Sequence, residues 1–172
     1  MSLTIRNEQA ADVGTIRRLN EQAFGQWAEA DLVDALRRSH ALTVSLVAEV
    51  NGKIAGHIAF SPLTIESRGS TCEALALAPL EVLPEYQNRG IGSSLVHRGL
   101  EDCKVSGHGA VIVLGDPAYY PRFGFVPAAT YGIRCPFVVP AETFMAAELA
   151  PGALAGCEGI VRYRPEFDAV SL

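Results

Sequence analysis

Leu80-Glu81-Val82-Leu83-Pro84-Glu85-Tyr86-Gln87-Asn88-Arg89-Gly90-Ile91-Gly92-Ser93-Ser94-Leu95 is the most informative stretch of the chain. The stretch reads as the end of an apolar strand, a short loop with two glycines, and the start of a helix. The first turn of a helix carries amides without intrahelical acceptors and about half a positive charge, so anions bind there. Glycine without a Cβ lets a phosphate approach the backbone, although it serves equally to tighten a turn. Spacing removes three enzyme classes. No lysine follows either glycine as a P-loop requires. A dinucleotide fingerprint would need Gly or Ala where Leu95 stands, and it opens the first strand–helix unit, not one in mid-chain. Gly-x-Ser-x-Gly is absent, which excludes the serine-hydrolase elbow.

Downstream, Ile91, Leu95, Val96, Leu100 and Cys103 fall on one helical face, with His97, Arg98, Glu101, Asp102 and Lys104 opposite. Gly107 and Gly109 end that helix. Ala110-Val111-Ile112-Val113-Leu114 is uninterrupted and apolar, which predicts a strand buried on both faces. Upstream, Cys72–Val82 reads as a strand interrupted by Pro79, a residue that requires an edge or a bulge. Val44–Val50 and Lys53–Phe60 flank Asn51-Gly52, a hairpin signal whose two turn residues need positive φ. Leu3–Arg6 predicts a first strand. Asp12 is placed to cap a helix bearing Val13, Ile16, Leu19, Ala23 and Phe24, and a second helix covers Glu29–Ser39 with Leu32, Val33 and Leu36 inward. The last third is punctuated by Pro and Gly, with a strand at Gly159–Tyr163. Residues 1–172 are expected to form a single α/β (α+β) domain, antiparallel at first, with one strand–helix–strand unit in the middle.

Composition bounds the function. The chain has 172 residues, 49% apolar and 19% charged, which excludes disorder. No apolar run approaches membrane-spanning length and no secretory leader opens the chain, so a cytoplasmic protein without a membrane partner is expected. Two lysines and twelve arginines against nineteen acids give a net charge of −5, and the basic pairs Arg17-Arg18 and Arg37-Arg38 read as solvated helix faces. Nucleic acid is therefore not an expected partner. Cys72, Cys103, Cys135 and Cys157 are far apart in sequence, as are His40, His57, His97 and His108, so no metal is expected. The thiols are expected to be reduced and mostly buried.

Gln87-x-x-Gly90-x-Gly92, preceded by Val82-x-Pro84 and followed by an amphipathic helix, resembles the acetyl-CoA loop of the GNAT superfamily of N-acetyltransferases. Val113-Leu114-Gly115-Asp116-Pro117-Ala118-Tyr119-Tyr120-Pro121-Arg122-Phe123-Gly124-Phe125 and Pro151-Gly152-Ala153-Leu154-Ala155-Gly156 are similar to its bacterial YhbS-type branch. The resemblance covers about residues 3–164. It implies the GNAT-like acyl-CoA N-acyltransferase fold, a mixed central sheet flanked by helices, with acetyl-CoA as co-substrate. By the same resemblance, Leu80, Glu81 and Val82 would offer backbone groups to pantetheine and the acetyl carbonyl. Asn88, Arg89, Gly90, Ile91, Gly92 and Ser93 would wrap the pyrophosphate. Tyr120, five residues before Phe125, would protonate the departing thiolate. Asp116-Pro117 departs from the superfamily, where an asparagine often starts that turn. Many members dimerise, so a homodimer is one outcome for this chain.

The chemistry states what each part is for. An amine with a pKa near 10.4 is neutral only about once in 2,500 at pH 7, a cost of roughly 4–5 kcal/mol, whereas an α-amine costs about 1 kcal/mol. An ε-amine acceptor therefore needs a general base, directly or through a water. Glu81 is the first candidate, ahead of Glu73, Glu85 and Asp116. Trp27 and Tyr86 are read as packing residues, with Trp27 in the region where family members build the acceptor pocket. The expected function is acetyl transfer from acetyl-CoA to a small-molecule or peptide amine in a ternary complex. The alternatives are a non-catalytic CoA-binding or sensing domain of the same fold, and an interaction module in which Gly90 and Gly92 only make a turn.

Overall fold

The computed structural model describes residues 1–24 and 28–169. β1, Leu3–Asn7, pairs antiparallel with β2, Val44–Val50. β2 turns into β3, Lys53–Ser67, through Asn51 and Gly52, whose φ values of 51° and 83° supply the left-handed pair that the hairpin requires. β4, Ser70–Val82, follows. Hydrogen bonds order the strands β1-β2-β3-β4, then β5, Ala110–Leu114, β8, Phe144–Glu148, and β6, Val126–Pro127. β9, Gly159–Arg162, pairs with β3, and β7, Ile133–Arg134, pairs with β9. The helices are α1, Val13–Phe24, α2, Ala28–Arg38, and α3, Ile91–Val105. β4–α3–β5 is the expected unit with parallel strands.

The chain divides into two compact units. The first holds Met1–Ser61, Ala78–Asp102 and the residues from Pro165 on. There, α1 and α2 bury Ile16 and Val33 against Val47 of β2. Val47 stands opposite His57 in the β2–β3 register, so His57 shares the α1/α2 face, and alternation turns Ile58 and Phe60 to the other. α3 covers that other face. Gly99 permits the approach, since a Cβ there would come within 2.5 Å of the Phe60 ring. The second unit holds Pro62–Leu77 and Cys103–Arg164, with β5 buried between β4 and β8.

Three expectations are corrected. Cys72 and Cys157, 85 positions apart, are joined in a disulfide with their Cα atoms 5.8 Å apart, while Cys103 and Cys135 are outside it. Spacing along the chain could not reveal a pair that folding brings together. Asp12 does not cap from outside the helix. It lies in a 3-10 turn, Ala10–Asp12, accepts the Gln9 amide at 2.6 Å and pairs with Arg6 at 2.7 Å. Pro79 lies on β4 beyond its last pair with β5, Ala76↔Ile112, so the strand is open on that side, the edge setting a proline requires. Finally, β6, β7 and β8 were not expected.

Candidate active site

β4 continues to Val82 past its last pair with β5, leaving Leu80 and Val82 half-buried and turning Glu81 into the interior. The Leu83 amide then bonds the Ala55 carbonyl at 2.8 Å. A 3-10 turn, Pro84–Tyr86, reverses the chain, and the Gln87 side-chain amide donates to the Val82 carbonyl at 3.0 Å, tying the loop back to its strand. Asn88 and Gly90 are left-handed, φ 62° and 81°. The Ser94 amide bonds the Gly90 carbonyl at 3.0 Å and starts α3. Gly56 brings these parts together: a Cβ there would lie 3.0 Å from Leu95 Cδ1 and 3.2 Å from the Glu81 carbonyl oxygen. Arg89 lies 5.5 Å and Lys53 5.6 Å from the centre of the Tyr86 ring. Tyr86, expected only to pack, thus carries two cations beside the start of a helix. Exposed Asn88, Arg89 and Gly90, half-buried Gly92 and Ser93, and this pair of charges make a cradle suited to an anion.

Behind the cradle lies a buried polar line. The Glu81 side chain is 2% exposed, and neither carboxyl oxygen has a hydrogen-bond partner among the described residues. Burial, reinforced by the charge of Glu29, pushes this carboxyl well above the usual carboxylate range. His57 Nδ1 lies 4.0 Å from Glu81 Oε1 and is likewise unpartnered among the described residues. Burial pushes His57 down to about 4, with Glu8 opposing that shift and Arg37 adding to it. The imidazole is therefore neutral near pH 7, and its proximity to Glu81 is not a salt bridge. On the other side of the ring, Nε2 meets Ser45 Oγ at 2.9 Å, and Ser45 Oγ donates to Glu8 Oε1. Burial alone would raise Glu8, but hydrogen bonds from Arg37 and Ser45 more than offset it and hold the carboxyl below its ordinary value. Arg37 reaches Glu8 at 2.8 Å and Asp34 at 3.0 Å.

Tyr120 belongs to the second unit. It opens a 3-10 turn, Tyr120–Phe123, with its amide on the Asp116 carbonyl at 3.2 Å, and its ring packs edge-on against Tyr119 and Phe125 at 5.2 and 5.7 Å. Gly115 makes room for it, since a Cβ there would come within 2.5 Å of Tyr120 Cε2. Asp116 shapes this turn, accepting the Ala118 amide at 2.8 Å. Among the other candidate bases, Glu73 is exposed beside a cavity of the second unit and Glu85 is exposed 3.9 Å from Lys53. Glu81 is thus the buried member of the candidate set. Trp27 lies outside the described residues. The residues missed in the sequence are Glu8, Glu29, Ser45 and His57. Ser45 and His57 had one legible signal, a polar side chain inside an otherwise apolar strand.

A strand that outruns its ladder, followed by an anion cradle at a helix N-terminus, suits a ligand with a phosphate at one end. The family model of the acetyltransferase (GNAT) domain matches residues 4–128. The chain belongs to the GNAT family of N-acetyltransferases, and its activity class is acyl-CoA-dependent acetyl transfer. It is similar to the uncharacterized N-acetyltransferase YhbS of Escherichia coli K12, with 38% identity over 167 residues that cover 96% of this chain and 99% of the relative. The crystal structure of Escherichia coli YhbS in complex with CoA superimposes with a TM-score of 0.92 at 37% identity, covering 99% of this chain and 94% of that one. A GNAT acetyltransferase from Brucella melitensis in complex with acetyl-CoA matches with a TM-score of 0.81 at 36% identity, covering 97% and 99%.

Proposed function

We propose that the chain works as one domain over residues 1–172, binds acetyl-CoA, and transfers its acetyl group to a primary amine of a small molecule or peptide. The neutral amine attacks the thioester carbon directly in a ternary complex. A C–N bond forms, the C–S bond breaks, and the thiolate leaves with a proton from Tyr120. The backbone of Leu80, Glu81 and Val82 receives the pantetheine arm, and Asn88 to Ser93 take the pyrophosphate, helped by Arg89. The CoA and acetyl-CoA complexes of the two similar structures support this assignment. Glu81 takes the proton from the amine, directly or through a water. Its burial in the strand that leads into the cradle is the observation that carries this role. A carboxyl raised toward neutrality is a better base once ionised than one at its ordinary value. Among the described residues no helix is long and apolar enough to cross a membrane, and we take the enzyme to act in the cytoplasm.

The test is thermal unfolding with acetyl-CoA, CoA, NAD and ATP in parallel. A ligand at about 100 times its dissociation constant adds about 2.7 kcal/mol, or roughly 5–10 °C for a domain of this size. We expect a shift with acetyl-CoA and CoA alone, followed by thiol release with a panel of amines. Binding without release would favour a CoA-sensing domain. No shift with any of the four would reduce Gly90 and Gly92 to a turn.

A further inference from the structure

We infer that His57 and Ser45 form a proton relay that drains Glu81 through the α1/α2 face of the sheet to Glu8 and out to solvent, a role that rests on Glu81 being the base. The hydrogen bonds fix the state of the line. Ser45 has one hydroxyl proton and donates it to Glu8, so at Ser45 Oγ the ring must be the donor. Neutral His57 then carries its proton on Nε2, and Nδ1 presents a lone pair toward Glu81 Oε1 at 4.0 Å. A buried nitrogen lone pair facing a buried carboxyl, neither otherwise partnered among the described residues, is an acceptor awaiting a donor. Closing the gap by about 1 Å brings the two to hydrogen-bond distance.

The transfer balances at each atom. The amine gives a proton to ionised Glu81, and protonated Glu81 gives one to His57 Nδ1. His57 releases its Nε2 proton to Ser45 Oγ, and Ser45 passes its own hydroxyl proton to Glu8. Every member but Glu8 is returned to its protonation count, with the ring and hydroxyl protons shifted by one place. Hydrogen bonds from Arg37 and Ser45 hold the Glu8 carboxyl below its ordinary value, so Glu8 holds the proton only in transit and surrenders it to water. An outlet exists. Glu8, Arg37 and Ser45 line a depression of about 430 Å³ with Asn7, His40 and Thr43. The relay also primes the enzyme, because a resting Glu81 that is protonated must unload before it can accept a proton. The groups facing the line are Glu29 and Arg37 of α2, Glu81 of β4, Ser45 of β2, and Glu8 after β1, with Asp34 behind Arg37.

The experiment uses the whole chain. Thiol release from acetyl-CoA is followed with the amine panel, or with water as acceptor where no amine reacts. Wild type is compared with Ser45→Ala, Ser45→Thr, His57→Gln and Glu81→Gln, and KM for acetyl-CoA is measured beside kcat. His57 and Ser45 are positioning residues, so kcat should fall about tenfold to hundredfold in Ser45→Ala and His57→Gln, with KM for acetyl-CoA unchanged. Ser45→Thr should restore the rate, and the deficit should shrink as pH rises and the amine sheds its proton to bulk water. Nitrogen NMR of the wild-type histidines, assigned with His57→Gln, should show the Nε2–H tautomer at His57. A loss in Glu81→Gln with none in Ser45→Ala and His57→Gln overturns the relay and leaves Glu81 as the base. No loss in Glu81→Gln overturns both. The Nδ1–H tautomer in wild type overturns the relay even where a variant does not fold.

Discussion

Between about pH 4.5 and 6.5 an unfolded chain holds a proton on His57 and none on Glu81. Folding pulls the two in opposite directions, because burial favours the neutral imidazole and the protonated carboxyl. One group loses and the other gains a proton on folding, so their contributions to the pH slope of stability oppose each other. Single substitutions uncover opposite slopes. In Glu81→Gln only His57 remains; its folded pKa is depressed, the unfolded chain binds the extra proton, and stability falls as pH drops from 6.5 toward 4, by up to about 3 kcal/mol. In His57→Gln only Glu81 remains; its folded pKa is raised, the unfolded chain releases the proton above 4.5, and stability falls as pH rises. Urea unfolding at a series of pH values distinguishes these cases, and parallel slopes in the two variants would refute the assignment. At Tyr120 the hydroxyl is the group at issue, so Tyr120→Phe should reduce turnover about hundredfold or more, in the range of acid–base contributions, while acetyl-CoA affinity holds. Unchanged turnover would remove Tyr120 from the mechanism.

Two glycines set how elements meet, and each gives a test. Gly99→Ala drives a methyl into the Phe60 ring at the α3–β3 contact and should cost about 1–3 kcal/mol, measured by denaturant unfolding. Gly115→Ala pushes on Tyr120 instead and should depress turnover more than it depresses acetyl-CoA binding. A Gly99→Ala protein as stable as wild type would mean that the ring moves aside freely. The elements that were legible beforehand share one property, a local pattern that agrees with the final structure. The β2–β3 turn needed Asn51-Gly52, and α3 carried its apolar face at Ile91, Leu95, Val96, Leu100 and Cys103. β8 lacked that agreement. Phe144-Met145-Ala146-Ala147-Glu148 is rich in helix formers, and it is a strand because β5 and β6 pair with it on its two sides. Most of the cradle is local in the same way, with Asn88 to Ser93 and Tyr86 in one stretch, and Lys53 alone comes from another segment. The relay was not legible, because Glu8, Ser45, His57 and Glu81 come from four segments that only the strand register aligns.

For the chain taken entire, the Cys72–Cys157 bond joins two residues of the second unit and closes a loop of 85 positions. Cross-links of this kind add about 2–4 kcal/mol, so reductant should lower the unfolding midpoint by roughly 5–15 °C for a chain of this size. The Cys72→Ala/Cys157→Ala protein should be indifferent to reductant. Equal wild-type midpoints with and without reductant would show that the bond contributes nothing. Both units are threaded discontinuously: the first takes segments from before and after Pro62–Leu77, and the second resumes only at Cys103. During synthesis on a ribosome, then, the first 61 residues emerge without the strand end and helix that complete their unit. Neither unit can close early, and the nascent chain must wait with its apolar strands held open until most of its length has left the exit tunnel.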